Sequence, residues 1–170
     1  MKIEIRRAKP GDEKKTAAMI NEGIKRKTWI YTNQDKIISE REVRKWRKKY
    51  KKNSNFILFI ALDKNTGDVV GTGSFNLNKR KRVRHITSLG WGIRPGYEKK
   101  GIASKLIKKV LSEAKKRGIK KTEAEIVEKN IPSLKLAKKL GFKIEGKKEK
   151  AFMTDDGKLN DVYVVGKVLK

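Results

Sequence analysis

The stretch at residues 96–106 limits the fold of this chain most, because it joins a strand to a helix through a short glycine-containing turn. Backbone N–H groups at such a turn, together with the dipole of the helix that follows, bind anions. Gly101 removes a side chain where the backbone must approach a ligand, and Ala103 is nearly as small. The turn therefore predicts a phosphate site, although an ordinary strand-to-helix turn has the same outline. Its positive charges come from Lys99, Lys100 and Lys105.

Segments downstream of this turn follow the motif order of a known family. The six residues Glu98-Lys99-Lys100-Gly101-Ile102-Ala103 stand where that family reads Q/R-x-x-G-x-G/A. A strand, Asn130, a short helix and Gly141-Phe142 come next, and the segment at 142–163 completes the pattern. Over residues 1–170 the chain resembles the GNAT superfamily of acyl-CoA-dependent N-acetyltransferases. The similar members include those that act on amino acids, on phosphinothricin-type herbicides and on the N-termini of ribosomal proteins.

The resemblance implies acetyl-CoA as co-substrate, with no metal, and it assigns the residues that hold it. The pyrophosphate is expected on the loop, at Lys99, Lys100, Gly101, Ile102, Ala103 and Ser104. Main-chain groups of Gly92 and Ile93, with the side chain of Asn130, are expected to bind the pantetheine arm. Asn130 is also predicted to cap the helix that follows it, since asparagine is an excellent N-cap.

Two positions depart from the family pattern. Glu98 replaces the usual Gln or Arg, which matters little if the backbone N–H groups bind the ligand. Ala137 stands where many relatives carry a tyrosine that protonates the leaving thiolate. The general acid is therefore unassigned by the resemblance, and Tyr97, beside the loop, is the candidate. Tyr163 is expected to pack in the core.

The candidate general base is Glu125. Glu123 and Glu125 share one face of their strand because they are two residues apart, and Glu125 is nearer the expected cofactor gap. A partly desolvated carboxylate there accepts a proton directly or through water. The alternative is a structural ion pair with one of the many lysines. His85 is the only histidine and lies early in its strand, so a role in a loop or in the core is expected for it.

The remaining pattern predicts one domain over residues 1–170, of the α/β (α+β) class. Strands are expected at 2–8, 56–62, 69–77, 84–93, 121–128, 142–153 and 159–168, and helices after Asp12, after a capping box at Ser39-x-x-Glu42, at 101–117 and at 130–140. The resemblance implies a GNAT-like mixed, mostly antiparallel sheet, flanked by helices, with one splayed parallel strand pair. The tryptophans are expected in the core or in pocket walls: Trp29, Trp46 and Trp91.

Composition restricts the compartment and the partners. The chain has no cysteine, which excludes disulfides and thiolate metal sites, and no apolar run of membrane-spanning length. A cytoplasmic protein without a membrane contact is expected. A single Gln, abundant Lys and Ile, and absent Cys are typical of a thermophile.

The formal net charge of +27 is large for one domain of 170 residues. Such a charge attracts polyanions in a salt-dependent way, and its clusters lie at 44–52 and 79–82. The sequence therefore leaves two hypotheses. The first is an acetyltransferase acting on a small-molecule or protein amine, and the second is a catalytically weak, basic GNAT-fold module that contacts RNA or ribosomes. Solvated surface lysine without a partner is the alternative explanation of the charge, and a homodimer is compatible with both hypotheses.

Overall fold

The computed structural model describes residues 1–26, 37–49 (without the side chains of 47–49) and 55–170. Seven strands and four helices lie in these ranges. The strands are β1 Ile3–Arg7, β2 Phe56–Asp63, β3 Val69–Asn76, β4 Ile86–Ile93, β5 Lys121–Val127, β6 Lys143–Met153 and β7 Leu159–Val168. The helices are α1 Glu13–Lys25, α2 Glu40–Lys49, α3 Ile102–Lys116 and α4 Ile131–Lys139. Outside the described residues lie Trp29, Tyr50, Lys51, Lys52 and the side chains of Arg47, Lys48 and Lys49.

All seven strands form one sheet in the order β1-β2-β3-β4-β5-β7-β6. Only β4 and β5 are parallel among the described neighbours, because α3 is the crossover between them. Their pairing covers Ile86 to Ser88 on β4 and Lys121 to Glu123 on β5, and then it stops. Both strands continue, to Ile93 and Val127. The mixed sheet and its splayed parallel pair are confirmed.

Helices α3 and α4 cover one face of the sheet and form the main core with it. Leu106 and Val110 of α3 pack so closely over Gly73 that a Cβ there would lie 2.9 Å from Val110 Cγ2. Trp91 packs against Phe142 with ring centroids 6.3 Å apart, and Tyr163 is partly buried against the same core. The core roles expected for Trp91 and Tyr163 therefore agree with the structure.

Helices α1 and α2 cover the opposite face. The start of α2 is the expected capping box, in which Ser39 N–H donates to Glu42 Oε2 at 2.8 Å and Glu42 N–H to Ser39 Oγ at 3.4 Å. Trp46 is half-buried against two small clusters on this face. No helix in the described ranges is long and apolar enough to cross a membrane.

The sequence prediction misplaced one strand boundary. The strand β4 begins at Ile86 and not at residue 84, because a 3₁₀ turn at Lys81–Val83 ends just before it. On α1 the buried apolar residues are Ala17 and Met19, at 3% and 5% exposed, whereas Ile20 and Ile24 are only partly covered. The Met19 side chain reaches the sheet, where it faces Gly92.

Candidate active site

The gap between β4 and β5 is the centre of the candidate site. Beyond Ser88 no described strand pairs with the edge of β4 that faces β5, so main-chain groups of the last residues of β4 face the gap. Residues that lie on one face of these two strands, at and beyond their last pair, are small on β4 and acidic on β5. This set comprises Ser88, Gly90, Gly92, Glu123 and Glu125. The gap therefore offers unpaired backbone beside a carboxylate-bearing strand.

The loop that follows β4 is anchored at its base by Arg94. Its guanidinium donates to Glu22 Oε2 at 2.7 Å and lies 3.0 Å from Asp68 Oδ2. The backbone N–H of Arg94 donates to the Val70 carbonyl at 2.9 Å. The hydrogen bond to Glu22 is the main reason that the pKa of Arg94 is raised above its ordinary value. These contacts tie the loop to α1 and to the β2–β3 turn.

The loop reaches the start of α3 through three residues with positive φ. They are Gly96 at 88°, Lys99 at 59° and Gly101 at 75°. Glu98 folds back to accept a hydrogen bond from Gly96 N–H at 2.7 Å, and Lys100 Nζ donates to the Gly96 carbonyl at 2.9 Å.

The start of α3 has the backbone features of an anion site. The N–H groups of its first turn have no partner within the helix, and a Cβ built on Gly101 would meet no other protein atom within 4 Å. The Glu98 carboxylate is turned toward the preceding backbone and does not interact with these N–H groups. The residues present therefore fit a phosphate-bearing ligand, as the sequence predicts for 99–104.

Tyr97 lies on the β3 side of β4, away from the gap. Its ring packs against Ala61, Val70 and Ile102, its hydroxyl lies 3.4 Å from Asp63 Oδ2, and the Lys100 ammonium sits 4.8 Å from its ring centroid. The structure does not bring Tyr97 together with Glu125. Its placement favours a role in holding the loop over one in proton transfer.

Glu125 lies where the sequence predicted, two residues beyond the last β4–β5 pair. Its Oε1 accepts a hydrogen bond from Lys148 Nζ at 2.6 Å, and the carboxylate side chain is 30% exposed. Glu123 sits back at the paired end, opposite Ser88, and lies 2.9 Å from Lys121 Nζ. Hydrogen bonds to Glu145 and Glu123 raise the pKa of Lys121. Both glutamates are thus ion-paired, and Glu125 alone of the two borders the gap.

Asn130 caps α4, as predicted, since its Oδ1 accepts a hydrogen bond from Ser133 N–H at 3.2 Å. Ala137, in place of the family's tyrosine, is 1% exposed in the core. His85 is at the far end of the sheet, before β4 begins.

Sequence reasoning missed Arg94 and Lys148. A signal for Arg94 was its position between the strand and the glycine turn, but its partners Glu22 and Asp68 are distant in sequence.

Comparison with known proteins identifies the family. Residues 22–142 match the sequence model of the Acetyltransferase (GNAT) family. The chain belongs to this family. It is 28% identical over 103 residues to the L-amino acid N-acetyltransferase AaaT of Escherichia coli (strain K12). That match covers 60% of this chain and 63% of AaaT.

Solved GNAT structures share the whole fold. An acetyltransferase of the GNAT family from Streptococcus pneumoniae superposes with a TM-score of 0.88 at 28% identity, covering 99% of this chain and 100% of that one. A GNAT superfamily phosphinothricin acetyltransferase from Sinorhizobium meliloti, in complex with acetyl-CoA, superposes with a TM-score of 0.85. It is 20% identical, with 99% of this chain and 89% of that chain covered, so this likeness concerns the fold.

Proposed function

We propose that the protein is an acetyl-CoA-dependent N-acetyltransferase that moves an acetyl group to a primary amine by direct attack on the thioester. The observation that carries the proposal is the opening between β4 and β5, with the N–H groups of the α3 start at one side and Glu125 at its border. When bound, acetyl-CoA supplies the activated acetyl group. Membership of the GNAT family supports acetyl transfer as the chemistry.

The geometry supports an assignment of the residues that would hold the co-substrate. The N–H groups around Gly101 and the first turn of α3 are placed to bind the pyrophosphate, with Lys99 and Lys105 exposed beside them. The free edge of β4 at Gly92 and Ile93 is placed to pair with the amide groups of pantetheine. Asn130, at the C-terminal end of β5, is placed on the other side of the gap.

Attack requires a neutral amine, so the incoming ammonium must first lose a proton. In this proposal the Glu125 carboxylate accepts that proton, directly or through water, and Lys148 holds the carboxylate in place. The amine nitrogen then forms the new bond to the acetyl carbon, and the bond from that carbon to sulfur breaks. The second proton of the amine passes to the departing CoA thiolate, directly or through water. Tyr97 fixes the loop through packing and Asp63, and no proton is assigned to it.

The test of function is thiol release from acetyl-CoA with a panel of amines. The net charge of +27 repels polycationic acceptors, so we expect free amino acids or peptide N-termini to be better substrates than spermidine. Lowering the salt should widen this preference, because the Debye length of ~8 Å at physiological salt grows as salt falls. Spermidine emerging as the best substrate at low salt would contradict this acceptor assignment, and no thiol release with any amine would contradict the enzyme itself.

The role of Asn130 can be separated from its cap. Asn130→Ser keeps a side-chain oxygen that caps α4, whereas Asn130→Ala removes it. We expect both variants to raise the KM for acetyl-CoA, and only the alanine variant to lose about 1 kcal/mol of stability. Steady-state kinetics and thermal unfolding of the two proteins measure this. A wild-type KM in Asn130→Ser would show that Asn130 caps α4 but that its amide group does not bind acetyl-CoA.

Three further proposals are independent of the chemistry, two supported by the sequence and one by the structure. The charge supports a contact with RNA or ribosomes, and the composition supports a cytoplasmic protein from a thermophile. A homodimer is supported by the edge strand β6, where Ile144 and Met153 are 63% and 66% exposed. Size-exclusion chromatography with light scattering tests the dimer.

A further inference from the structure

A cavity of about 570 Å³ lies at the end of the sheet opposite the cofactor loop. Its walls come from the end of β3, the turn before β4, the end of α3 and the start of β5, and they comprise Leu77, Asn78, Arg84, His85, Arg117, Gly118, Ile119 and Lys120. The helix α3 has 15 residues, so its two ends lie about 22 Å apart. The cavity is therefore separate from the start of that helix, where the pyrophosphate is proposed to bind.

Backbone hydrogen bonds hold the walls of this cavity in place. The His85 carbonyl accepts from the N–H groups of Lys120 at 2.8 Å and Lys121 at 3.1 Å. At the end of α3, Gly118 N–H donates to Lys115 O at 3.0 Å and Ile119 N–H to Ala114 O at 3.1 Å. These bonds occupy terminal carbonyls of α3, so fewer free carbonyl oxygens oppose an anion there.

The cavity gathers cations, most of which take part in no ion pair among the described residues. Arg84, Arg117 and Lys120 line it, and the segment 79–82 beside it contributes four exposed cations. The sequence contains no Asp or Glu between Asp68 and Glu98. In the part of the chain that the structure describes, Arg117 pairs with Glu113 at 2.7 Å, and no ion pair includes Arg84, Lys120 or the cations of 79–82.

Elsewhere the basic surface is partly neutralised. Arg6 is paired with Asp12 at 2.7 Å, Lys147 with Asp161 at 2.7 Å and Lys148 with Glu125 at 2.6 Å. Lysines on α3 and α4, among them Lys108 and Lys138, also take part in no ion pair among the described residues, so lack of a partner does not by itself distinguish this surface. What distinguishes it is that its cations border a concave site and that four of them follow one another in a stretch, 69–97, that has no acidic residue. The distribution of charge, more than its total, thus points to a ligand.

We propose that this cavity and the segment 79–82 bind the phosphodiester backbone of a single-stranded nucleic acid. The cations follow one another along the chain, which suits a polymer with one negative charge per ~3.4 Å of strand better than a single small anion. The concave site also leaves room for an unpaired base, and the exposed Arg84 guanidinium and His85 ring offer flat surfaces for stacking. The inference narrows the proposed RNA contact to one surface and does not depend on acetyl transfer.

The test compares two triple variants with the same change in charge. Arg82→Gln/Arg84→Gln/Lys120→Gln removes cations of the proposed surface. Lys2→Gln/Lys9→Gln/Lys14→Gln removes exposed lysines near the opposite edge of the sheet, at β1, which is three strands from β4. Binding of a labelled oligouridylate of about 12 nucleotides is measured by fluorescence anisotropy over a range of salt concentrations. An oligodeoxythymidylate of equal length and polyglutamate serve as competitors.

We expect the first triple variant to bind at least tenfold more weakly at low salt. Its plot of log affinity against log salt should be shallower by about 2, since each phosphate contact in a single strand contributes about 0.7 to the slope. The control triple variant should stay near wild type, and thiol release and melting temperature should be unchanged in both. Competition by the DNA oligomer as well as by RNA would support the shared backbone chemistry.

Three results would overturn the inference, and each would contradict a different part of it: the surface, the RNA contact or the class of ligand. Equal weakening by both triple variants would show that only the overall field attracts RNA, and the surface would be wrong. Absence of oligouridylate binding by the wild-type protein at low salt would remove the RNA contact altogether. Displacement by polyglutamate as effective as by nucleic acid, charge for charge, would assign the surface to acidic proteins.

Discussion

Gly101→Val should weaken acetyl-CoA binding by more than about tenfold, or over ~1.4 kcal/mol, while the protein still folds. Gly101 has φ +75°, a conformation that a β-branched residue adopts only at a cost of about 1–2 kcal/mol. The added side chain meets no protein atom within 4 Å, so it occupies the open space at the start of α3, where the pyrophosphate is proposed to lie. Isothermal titration calorimetry with acetyl-CoA measures the affinity.

A matched control lies at the other end of the same helix. Gly118 has φ +80°, and a Cβ there also meets nothing within 4 Å. Gly118→Val should therefore lose a similar amount of stability and keep its affinity for acetyl-CoA. Wild-type affinity in Gly101→Val would place the ligand elsewhere. Equal losses of affinity in both variants would show that strain in α3, and not obstruction of the site, weakens binding.

The loop before α3 and the start of that helix were predictable from the sequence because their signals are local. The strand, the turn with Gly96 and Gly101, and the helix start lie within one short stretch, and each residue's role depends on its neighbours in the chain. The cap at Asn130 is equally local, since Ser133 is three residues away. Glycines with positive φ also follow the ends of α3 and α4, at Gly118 and Gly141, and this signal too is local.

The catalytic half was less predictable because its contacts depend on the register between distant strands. Lys148 reaches Glu125 from β6, whose pairing with β7 shifts twice. One shift lies around Lys150, which has φ +49° and donates its N–H to Asp161 at 2.9 Å. Lys147, paired with that carboxyl group, is the main cause of the lowered pKa of Asp161. No periodicity in the sequence marks such a bulge.

The orientation of the Tyr97 side chain could not be predicted from the sequence for a related reason. Its position beside the loop is compatible with a side chain on either side of β4. The structure turns it toward Asp63 because the apolar surface of Ala61 and Val70 is available there. A side chain therefore need not face a predicted site merely because its residue is next to that site in the sequence.

Glu125→Gln should lower kcat by at least tenfold and leave acetyl-CoA affinity within about twofold of wild type. The amide is nearly the same size as the carboxylate, but it accepts no proton at neutral pH. General-base catalysis typically contributes 10²–10⁴-fold, and water in the open gap can replace part of this. Steady-state rates across the pH range, with calorimetry for acetyl-CoA, measure both quantities.

Two further variants separate proton transfer from structure. Glu123→Gln makes the same change two residues away, on the same face, where β4 and β5 are still paired, and it should keep a near-wild-type rate. Lys148→Met breaks the ion pair but keeps the Glu125 carboxylate, so it should retain much more activity than Glu125→Gln. Both partners are partly exposed, and such a pair stabilises the fold by only about 0–1 kcal/mol. If Glu125→Gln and Lys148→Met lost rate and stability in parallel, the carboxylate would be structural. A wild-type rate for Glu125→Gln at every pH would remove it from the mechanism.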